Sequence, residues 1–313
     1  MSDRSHDYSQ SILARCKTKA AVRTAVVHPV QANALEAIPE AVAAGLIVPT
    51  LIGPKDRILK AADDAKLDIS AWEIVDAEHS HDAAVKAVAM AAGGHADAIM
   101  KGALHTDELL EPIVKTQSGL RTSRRLSHAF LMSISSYAKP FIITDAAINI
   151  APDLLAKADI VQNAVNLWHV IFGEDTRPKV AILAAVETVN PKMIATIDAA
   201  ALCKMADRGQ ITGAVIDGPL AFDNAISVQA AKDKGIVSPV AGNADILLVP
   251  EIESGNMLAK QLTFLGSADA AGIVLGARVP VMLTSRADNA RARVLSCALA
   301  VLLADARKSG RLK

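Results

Sequence analysis

The sequence contains very few aromatic residues. Phenylalanine, tryptophan and tyrosine make up 3% of its 313 residues, although 51% of the residues are hydrophobic. Most of the apolar volume therefore comes from alanine, valine, isoleucine and leucine. Small aliphatic side chains allow helices to pack closely on a sheet, so the composition favours an α/β protein. The length is sufficient for two domains of roughly 100–200 residues each.

Net charge and long apolar runs are also lacking, and this excludes two classes of partner. Lysine plus arginine number 33, as do aspartate plus glutamate, so the sequence offers no basic surface to a nucleic acid. No apolar run approaches the roughly 20 residues of a membrane helix, and the polar N-terminus lacks a signal peptide's apolar segment. Three widely spaced cysteines form neither a metal-ligand pattern nor a disulfide framework. We therefore expect a cytoplasmic protein that acts on small molecules.

Several familiar catalytic motifs are missing as well. The sequence has no glycine-rich phosphate loop ending in Gly-Lys-Ser/Thr, no Gly-x-Gly-x-x-Gly dinucleotide turn, and no Gly-x-Ser-x-Gly elbow around Ser285. The sequence also lacks the His-x-x-x-His pair and the clustered cysteine pair that would indicate a metal site. We interpret three isolated histidines as structural side chains: His28, His105 and His169.

What the sequence does contain is a regular alternation of strand and helix patterns. A first series runs from about residue 23 to residue 100, and a second series begins at Pro178. Such alternation predicts right-handed crossovers and a mostly parallel sheet. Length and pattern together predict two α/β domains with a boundary near Ile148. A return of the final strand and helix to the first domain is compatible with the pattern but does not follow from spacing alone.

The most informative stretch is a polar corner near the C-terminus. Residues 279–283 predict a short strand and a helical pattern starts near residue 290, so Ser285, Arg286 and Asp288 fall between them. In open α/β sheets, ligands bind at such strand ends, where free N–H groups and the helix dipole favour an anion. An arginine there can hold a phosphate through paired charge-assisted hydrogen bonds. The alternative is a plain helix cap with an exposed Arg286, and the spacing does not separate the two.

A second polar stretch interrupts the alternation between residues 101 and 136. Six side chains lie close together in its sequence: Arg121, Ser123, Arg124, Arg125, Ser127 and His128. A solvated loop is one interpretation. We favour an electropositive rim for an anionic substrate, because Lys101, Thr144 and Asp145 also fall at strand ends. Such residues suit acyl or phosphoryl transfer by positioning and charge stabilisation, and composition does not choose between the two reactions.

Several short runs, in order over residues 20 to 305, carry a resemblance to a known family. They are Lys101-Gly102 with Thr106, Leu126-Ser127-His128, ITDAAIN at 143–149, VNPKM at 189–193, DGPLAFDNA at 217–225, SPVAGNAD at 238–245, SGN at 254–256 and LTSRAD at 283–288. Together they resemble the phosphate acetyl/butyryltransferase family, most closely its phosphate butyryltransferase branch.

The resemblance implies a fold, an assembly and a reaction. The fold would be similar to that of isocitrate and isopropylmalate dehydrogenases, with two three-layer α/β/α domains around an interdomain cleft. We expect one domain to comprise residues 1–147 and 276–313, and the other residues 148–275. The reaction would be the reversible conversion of acyl-CoA and phosphate to acyl phosphate and CoA, with an acetyl or butyryl group. The resemblance also implies a homodimer without a metal or bound cofactor, because CoA and phosphate are substrates.

Catalytic roles follow from the same resemblance. Ser285 would steady the thiol and the developing oxyanion, and Arg286 would bind phosphate. The position seven residues after this serine, where the acetyltransferases carry their proposed thiol base, is Ala292. Asp288 is therefore our candidate base, with Asp145 in reserve, for direct attack of a thiolate in a ternary complex. Substrate and phosphate contacts are expected from ten further residues: Lys101, Thr106, Arg124, Ser127, His128, Thr144, Asp145, Ser238, Gly242 and Asn256.

Two other functions fit the same sequence. The change at Ala292 leaves room for a non-catalytic domain that senses acyl-CoA. A decarboxylating dehydrogenase on the same fold is a weaker alternative, because the sequence shows neither clustered aspartates for a divalent metal nor a nicotinamide motif.

Overall fold

The computed structural model describes residues 4–36, 38–283 and 289–312. The chain divides into two compact units. The first unit comprises residues 9–124 and 271–313, and the second comprises residues 1–8 and 125–270. The sequence placed the boundaries at 147/148 and 275/276, whereas this division falls at 124/125 and 270/271. Residues 125–147, between the observed and the predicted first boundary, include a pair of strands that hydrogen-bond to each other, as described below.

The first unit is built on a largely parallel sheet. Its strands are β1 (Val22–Val27), β2 (Ile47–Gly53), β3 (Glu73–Asp76), β4 (Ala98–Lys101), β10 (Asp269–Leu275) and β11 (Val281–Met282). Their order across the sheet is β3-β2-β1-β4-β11-β10. All neighbours are parallel except β10 and β11, which are antiparallel. The carboxyl ends of β1, β2, β3, β4 and β11 therefore meet at one edge, where ligands bind in sheets of this kind.

Helices of the first unit flank these strands. They are α1 (Arg4–Cys16), α2 (Ala32–Leu35), α3 (Ile38–Ala43), α4 (Lys55–Asp64), α5 (Ser80–Ala92), α6 (Thr106–Val114) and α12 (Ala290–Lys308), with a 3₁₀ turn at Thr116–Ser118. Helix α5 buries an alanine-rich face. Helix α12 starts where the sequence predicts it, and its N-cap Asn289 accepts a hydrogen bond from the backbone N–H of Ala292 at 2.8 Å. Almost every residue of α12 beyond its first turn is buried, so this helix forms part of the unit's core.

The strands of the second unit pair in a mixed parallel and antiparallel arrangement. They are β5 (Ser127–Ser133), β6 (Phe141–Thr144), β7 (Lys179–Leu183), β8 (Val215–Leu220) and β9 (Ile246–Leu248), in the order β5-β6-β9-β7-β8. Strands β5 and β6 are antiparallel, and the remaining neighbours are parallel. The helices are α7 (Leu154–Phe172), α8 (Ile194–Asp207), α9 (Phe222–Ile226), α10 (Val228–Asp233) and α11 (Ile252–Phe264).

One long buried helix shapes the second unit. Asp153 caps α7 by accepting a hydrogen bond from the N–H of Ala156 at 2.8 Å. Within the helix, Lys157 forms a buried ion pair with Asp198 of α8 at 2.6 Å. Removing either partner would leave the other charge buried without compensation, which is strongly destabilising. The pair therefore links α7 to α8.

The mixed α/β class predicted from the sequence is confirmed. The sequence pattern does not predict strand β5, because residues 127–133 follow an arginine-rich stretch that favours a loop or a rim. Antiparallel pairing with β6 makes the segment a buried strand instead. Among the described residues, no helix is both long enough and apolar enough to cross a bilayer.

Candidate functional site

Strand β6 ends at a buried carboxylate. Asp145 follows β6 directly and is 2% exposed. Its Oδ1 accepts hydrogen bonds from the backbone N–H groups of Ala147 and Ile148 at 2.9 and 3.0 Å. Its Oδ2 accepts from the backbone N and the side-chain Nδ2 of Asn149 at 3.3 and 2.6 Å. The charge of Asp145 is thus met by four N–H donors, which hold residues 145–149 in a tight turn at the strand end.

Asn149 also ties this turn to the start of β5. The Nδ2 of Asn149 also donates to the carbonyl oxygen of Leu126 at 2.8 Å, and its Oδ1 accepts from Nε of Arg125 at 2.6 Å. On the other side, Nδ2 of Asn163 in α7 donates to the carbonyl of Arg125 and to Oγ of Ser127, both at 2.9 Å. Two asparagines therefore hold the entry to β5, and Ser127 is a fully buried member of this network.

His128 is the most unusual side chain of this region. It is 1% exposed, and its ring packs edge-on against Phe130 with centroids 4.3 Å apart. Neither ring nitrogen has a hydrogen-bond partner among the described residues. Burial lowers the pKa of His128, and the nearby charge of Asp145 opposes this shift only in part. At neutral pH the imidazole is therefore uncharged and lacks the positive charge that would attract a phosphate.

The remaining polar residues of β6 and α11 close the same corner. Oγ1 of Thr144 donates to the carbonyl of His128 at 2.8 Å across the antiparallel pair. Nδ2 of Asn256 donates to the carbonyl of Ala146 at 3.2 Å. A Cβ on Gly255 would lie 3.0 Å from the carbonyl oxygen of Asp145, so only glycine allows α11 to approach the turn this closely. Four predicted site residues thus meet here: His128, Thr144, Asp145 and Asn256.

Ser238 and Gly242 belong to a different corner of the second unit. Oγ of Ser238 accepts hydrogen bonds from the N–H groups of Val240 and Ala241 at 3.0 and 3.2 Å. Gly242 has φ +75°, and a Cβ there would lie 2.5 Å from Cα of Val228. Both residues therefore shape the loop that packs against α10, and their predicted contacts with substrate stay a prediction.

In the first unit, Lys101 is the last residue of β4 and lies at the carboxyl edge of the sheet. The next residue, Gly102, donates its N–H to the carbonyl of Val27 at 2.9 Å. A Cβ on Gly102 would lie 2.3 Å from that carbonyl oxygen. No other residue fits between the ends of β4 and β1, which explains the Lys-Gly pair seen in the sequence.

Thr106 begins helix α6 four residues after Gly102. The side chain of Glu108 accepts a hydrogen bond from the N–H of His105 at 2.9 Å and another from Oγ of Ser80 at 2.8 Å. The bond from His105 is the main reason that the pKa of Glu108 lies below its usual value. Because Glu108 caps the helix from within, the start of α6 is fixed beside the Lys101 corner.

Only the arginines of the predicted electropositive rim lie at the surface. The three arginines, Arg121, Arg124 and Arg125, are exposed, whereas Ser127 and His128 are buried in β5. The backbone N–H of Arg124 donates to Oγ1 of Thr122 at 3.1 Å, which bends the chain just before the boundary between the units. The predicted catalytic residues Ser285, Arg286 and Asp288 lie outside the described residues.

Sequence reasoning missed the two asparagines that organise the second unit's corner. Asn149 belongs to a run that carries the resemblance, four residues after Asp145, but its role appears only when β5 is known to pass beside it. Asn163 lies within a helical pattern and gives no signal in the sequence, because its partners are 36 and 38 positions away.

With this geometry in place, comparison with known proteins identifies the family. A family model described as phosphate acetyl/butaryl transferase matches residues 77–301. The chain belongs to the phosphate acetyl/butyryltransferase family. Within that family, it is 55% identical over 307 residues to the phosphate acetyltransferase of Rickettsia prowazekii, covering 98% of this chain and 87% of the relative. It is 42% identical over 293 residues to the phosphate butyryltransferase of Clostridium acetobutylicum, covering 94% of this chain and 97% of the relative.

Solved structures extend the likeness to the fold. A branched-chain phosphotransacylase from Enterococcus faecalis superimposes with a TM-score of 0.78 at 30% identity, covering 90% of this chain and 99% of that one. A 4-hydroxythreonine-4-phosphate dehydrogenase from Klebsiella pneumoniae superimposes with a TM-score of 0.52 at 15% identity, covering 92% and 100%. The second likeness concerns the fold alone, and it agrees with the dehydrogenase-like fold expected for this phosphate acetyl/butyryltransferase family member.

Proposed function

We propose that the chain is a phosphate acyltransferase, which converts acyl-CoA and phosphate reversibly to acyl phosphate and CoA. The observation that carries the proposal is the nearly full-length match to a phosphate acetyltransferase at 55% identity. The acyl group is acetyl or butyryl, since relatives named for each acyl group match most of the chain. No finding favours the acyl-CoA sensor or the decarboxylating dehydrogenase over this reaction.

Ser285, Arg286 and Asp288 are assigned the catalytic roles. Strand β11 runs parallel to β4 with Met282 opposite Met100, so β11 ends beside the strand that ends at Lys101. In the proposed reaction Asp288 removes the thiol proton of CoA, and the thiolate attacks the carbonyl carbon of the acyl phosphate. Ser285 and backbone N–H groups stabilise the tetrahedral oxyanion, a contribution of roughly 3–4 kcal/mol per donor in other enzymes. Arg286 holds the departing phosphate.

Asp145 is the less suitable base. Each of its oxygens already accepts two hydrogen bonds, and the carboxylate is buried beneath the turn that it organises. Proton transfer to Asp145 would break at least one of these contacts. We therefore keep Asp288 as the base and assign Asp145 to the architecture of the substrate corner, together with Thr144 and Asn256.

The assembly and cellular setting form part of the same proposal. CoA and phosphate are substrates, so the reaction requires no resident metal or cofactor, nucleic acid or membrane. We propose a cytoplasmic homodimer. Support for a protein interface comes from large apolar side chains that are exposed on the second unit: Ile150, Leu155, Ile194, Met257 and Phe264. The three cysteines are free thiols, as suits a reducing compartment.

The experiment that tests the function is phosphate-dependent release of CoA thiol from acetyl-, propionyl- and butyryl-CoA. We expect release that requires phosphate and that falls at least tenfold in Ser285→Ala and Arg286→Ala. Asp288→Asn should lower kcat in the direction in which free CoA is the nucleophile. Binding of acyl-CoA without release of thiol in the wild type would replace the proposal by the sensor.

A further inference from the structure

His28 has a backbone conformation that side chains rarely adopt. It follows β1 directly and has φ +54°, in the left-handed region that normally suits glycine. The residue is nevertheless well buried, with 6% of its surface exposed. Its N–H donates to the carbonyl of Ile52, and its carbonyl oxygen accepts from the N–H groups of Val30 and Ala103, both at 2.9 Å. The end of β1 is therefore held by neighbours on both sides.

The imidazole adds a side-chain contact to the same segment. Nδ1 of His28 lies 3.2 Å from the carbonyl oxygen of Ala103. A carbonyl oxygen only accepts hydrogen bonds, so Nδ1 carries the proton and donates it. Burial lowers the pKa of His28, which keeps the ring neutral at physiological pH. Ala103 is thus bonded to His28 twice, through its N–H and through its carbonyl group.

This double contact acts on residues that the proposed reaction uses. Gly102 contacts the backbone of Val27 and His28 so closely that it leaves no room for a Cβ. Lys101 precedes Gly102 in the chain, and Thr106 starts α6 three residues after Ala103. The turn at 101–103 consequently determines where the ammonium group and the start of the helix lie. Both features are attractive to a phosphate dianion.

We propose that His28 is a positioning residue for phosphate: its Nδ1–H bond to Ala103 holds the 101–103 turn so that Lys101 and the start of α6 face the same anion. The inference rests on the proposed function, because Lys101 and Thr106 are the phosphate contacts proposed there. It adds a residue that no motif of the sequence indicates. His28 itself need not touch the substrate.

The chain allows a sharp set of variants. His28→Leu removes the donor and also suits φ +54° poorly. His28→Gln keeps a polar side chain but places its amide at the position of Nε2 rather than Nδ1. His28→Asn places an amide N–H at the position of Nδ1, and asparagine tolerates left-handed backbone better than most residues. His95→Leu is the matched control, because His95 is exposed and precedes β4 at the opposite end of that strand.

Phosphate affinity is measured first, from the rise in unfolding temperature with added inorganic phosphate, and the phosphate KM and kcat are measured second. We expect His28→Gln and His28→Leu to weaken phosphate binding and raise the phosphate KM at least tenfold, with acyl-CoA KM and kcat changed less than threefold. His28→Asn should recover most of the affinity, and His95→Leu should behave as the wild type. Lys101→Met should weaken phosphate binding similarly, and combining it with His28→Gln should add less than threefold.

Several results would overturn the inference. They are wild-type phosphate affinity in His28→Gln, no recovery in His28→Asn relative to His28→Gln, fully multiplicative effects of His28→Gln and Lys101→Met, or no stabilisation of the wild type by phosphate. The unfolding measurement also separates the two proposals. A wild type that binds phosphate without releasing thiol defeats the proposed function, whereas the affinities of the His28 variants still decide the inference.

Discussion

Replacing Asp145 by asparagine distinguishes an architectural carboxylate from a catalytic base. The substitution preserves the size of the side chain and removes its charge. In the wild type, two N–H donors meet each carboxylate oxygen. An asparagine offers one oxygen and one NH₂ group, so two of the four donors would face another donor.

The magnitude follows from those contacts. Hydrogen bonds to a charged group contribute about 1.5–3 kcal/mol each, so losing two of them should lower the free energy of unfolding by about 3–6 kcal/mol. The site is 2% exposed, so water offers the displaced donors little compensation. Activity should fall together with stability, because Thr144 and Asn256 share the turn.

The assay is urea unfolding followed by circular dichroism, combined with thiol release under conditions in which the variant is folded. Asp153→Asn is the matched control: Asp153 caps α7 from an exposed position, and asparagine caps helices about as well as aspartate. We expect that control to stay within about 0.5 kcal/mol of the wild type. An Asp145→Asn protein of normal stability with a large loss of kcat would refute the architectural role and restore Asp145 as a base.

Three further predictions follow from individual contacts. Gly102→Ala would place a Cβ 2.3 Å from the carbonyl oxygen of Val27, and we expect a loss of about 1–3 kcal/mol in urea unfolding together with a raised phosphate KM; an unperturbed variant would contradict the close approach. Lys157→Met should cost about 3–5 kcal/mol by leaving Asp198 charged and buried, whereas the double variant Lys157→Met/Asp198→Leu should regain most of that loss; a double variant as unstable as the single one would contradict the ion-pair argument. Burial keeps the pKa of His128 below its ordinary value of 6.5, so below that pH the unfolded chain binds a proton that the folded chain does not. Stability should then fall as the pH is lowered, by up to about 1.4 kcal/mol per pH unit, and His128→Phe should reduce this slope in urea midpoints measured between pH 7 and 5; an unchanged slope would contradict it.

Much of the fold could be predicted because its signals are local. Strands β1, β4 and β6 have apolar runs that end at polar residues, and α12 has a helical apolar pattern that begins near residue 290. The family could be predicted because its runs occur in order along nearly the whole chain. The missed strand β5 shows the limit of such signals, since its entry is rich in arginine and its pairing partner β6 lies beyond an intervening turn.

The candidate site was predictable in identity more than in environment. Asp145 and Lys101 could be placed at strand ends from the sequence. The sequence did not predict that Asp145 would be met by four N–H donors, or that His128 would be buried and uncharged. Both properties depend on Asn149 and on the β5–β6 pair, which bring together residues from separate segments.

The sequence by itself determined the α/β class, the family and which residues stand at strand ends, because composition, periodicity and ordered motifs are carried by neighbouring residues. Only the tertiary structure decided that His28 holds the 101–103 turn and that Asp145 anchors another. The physical reason is that hydrogen bonds and desolvation depend on distance in space: His28 and Ala103 are 75 positions apart in the chain, and their contact exists only because β1 and β4 are adjacent strands.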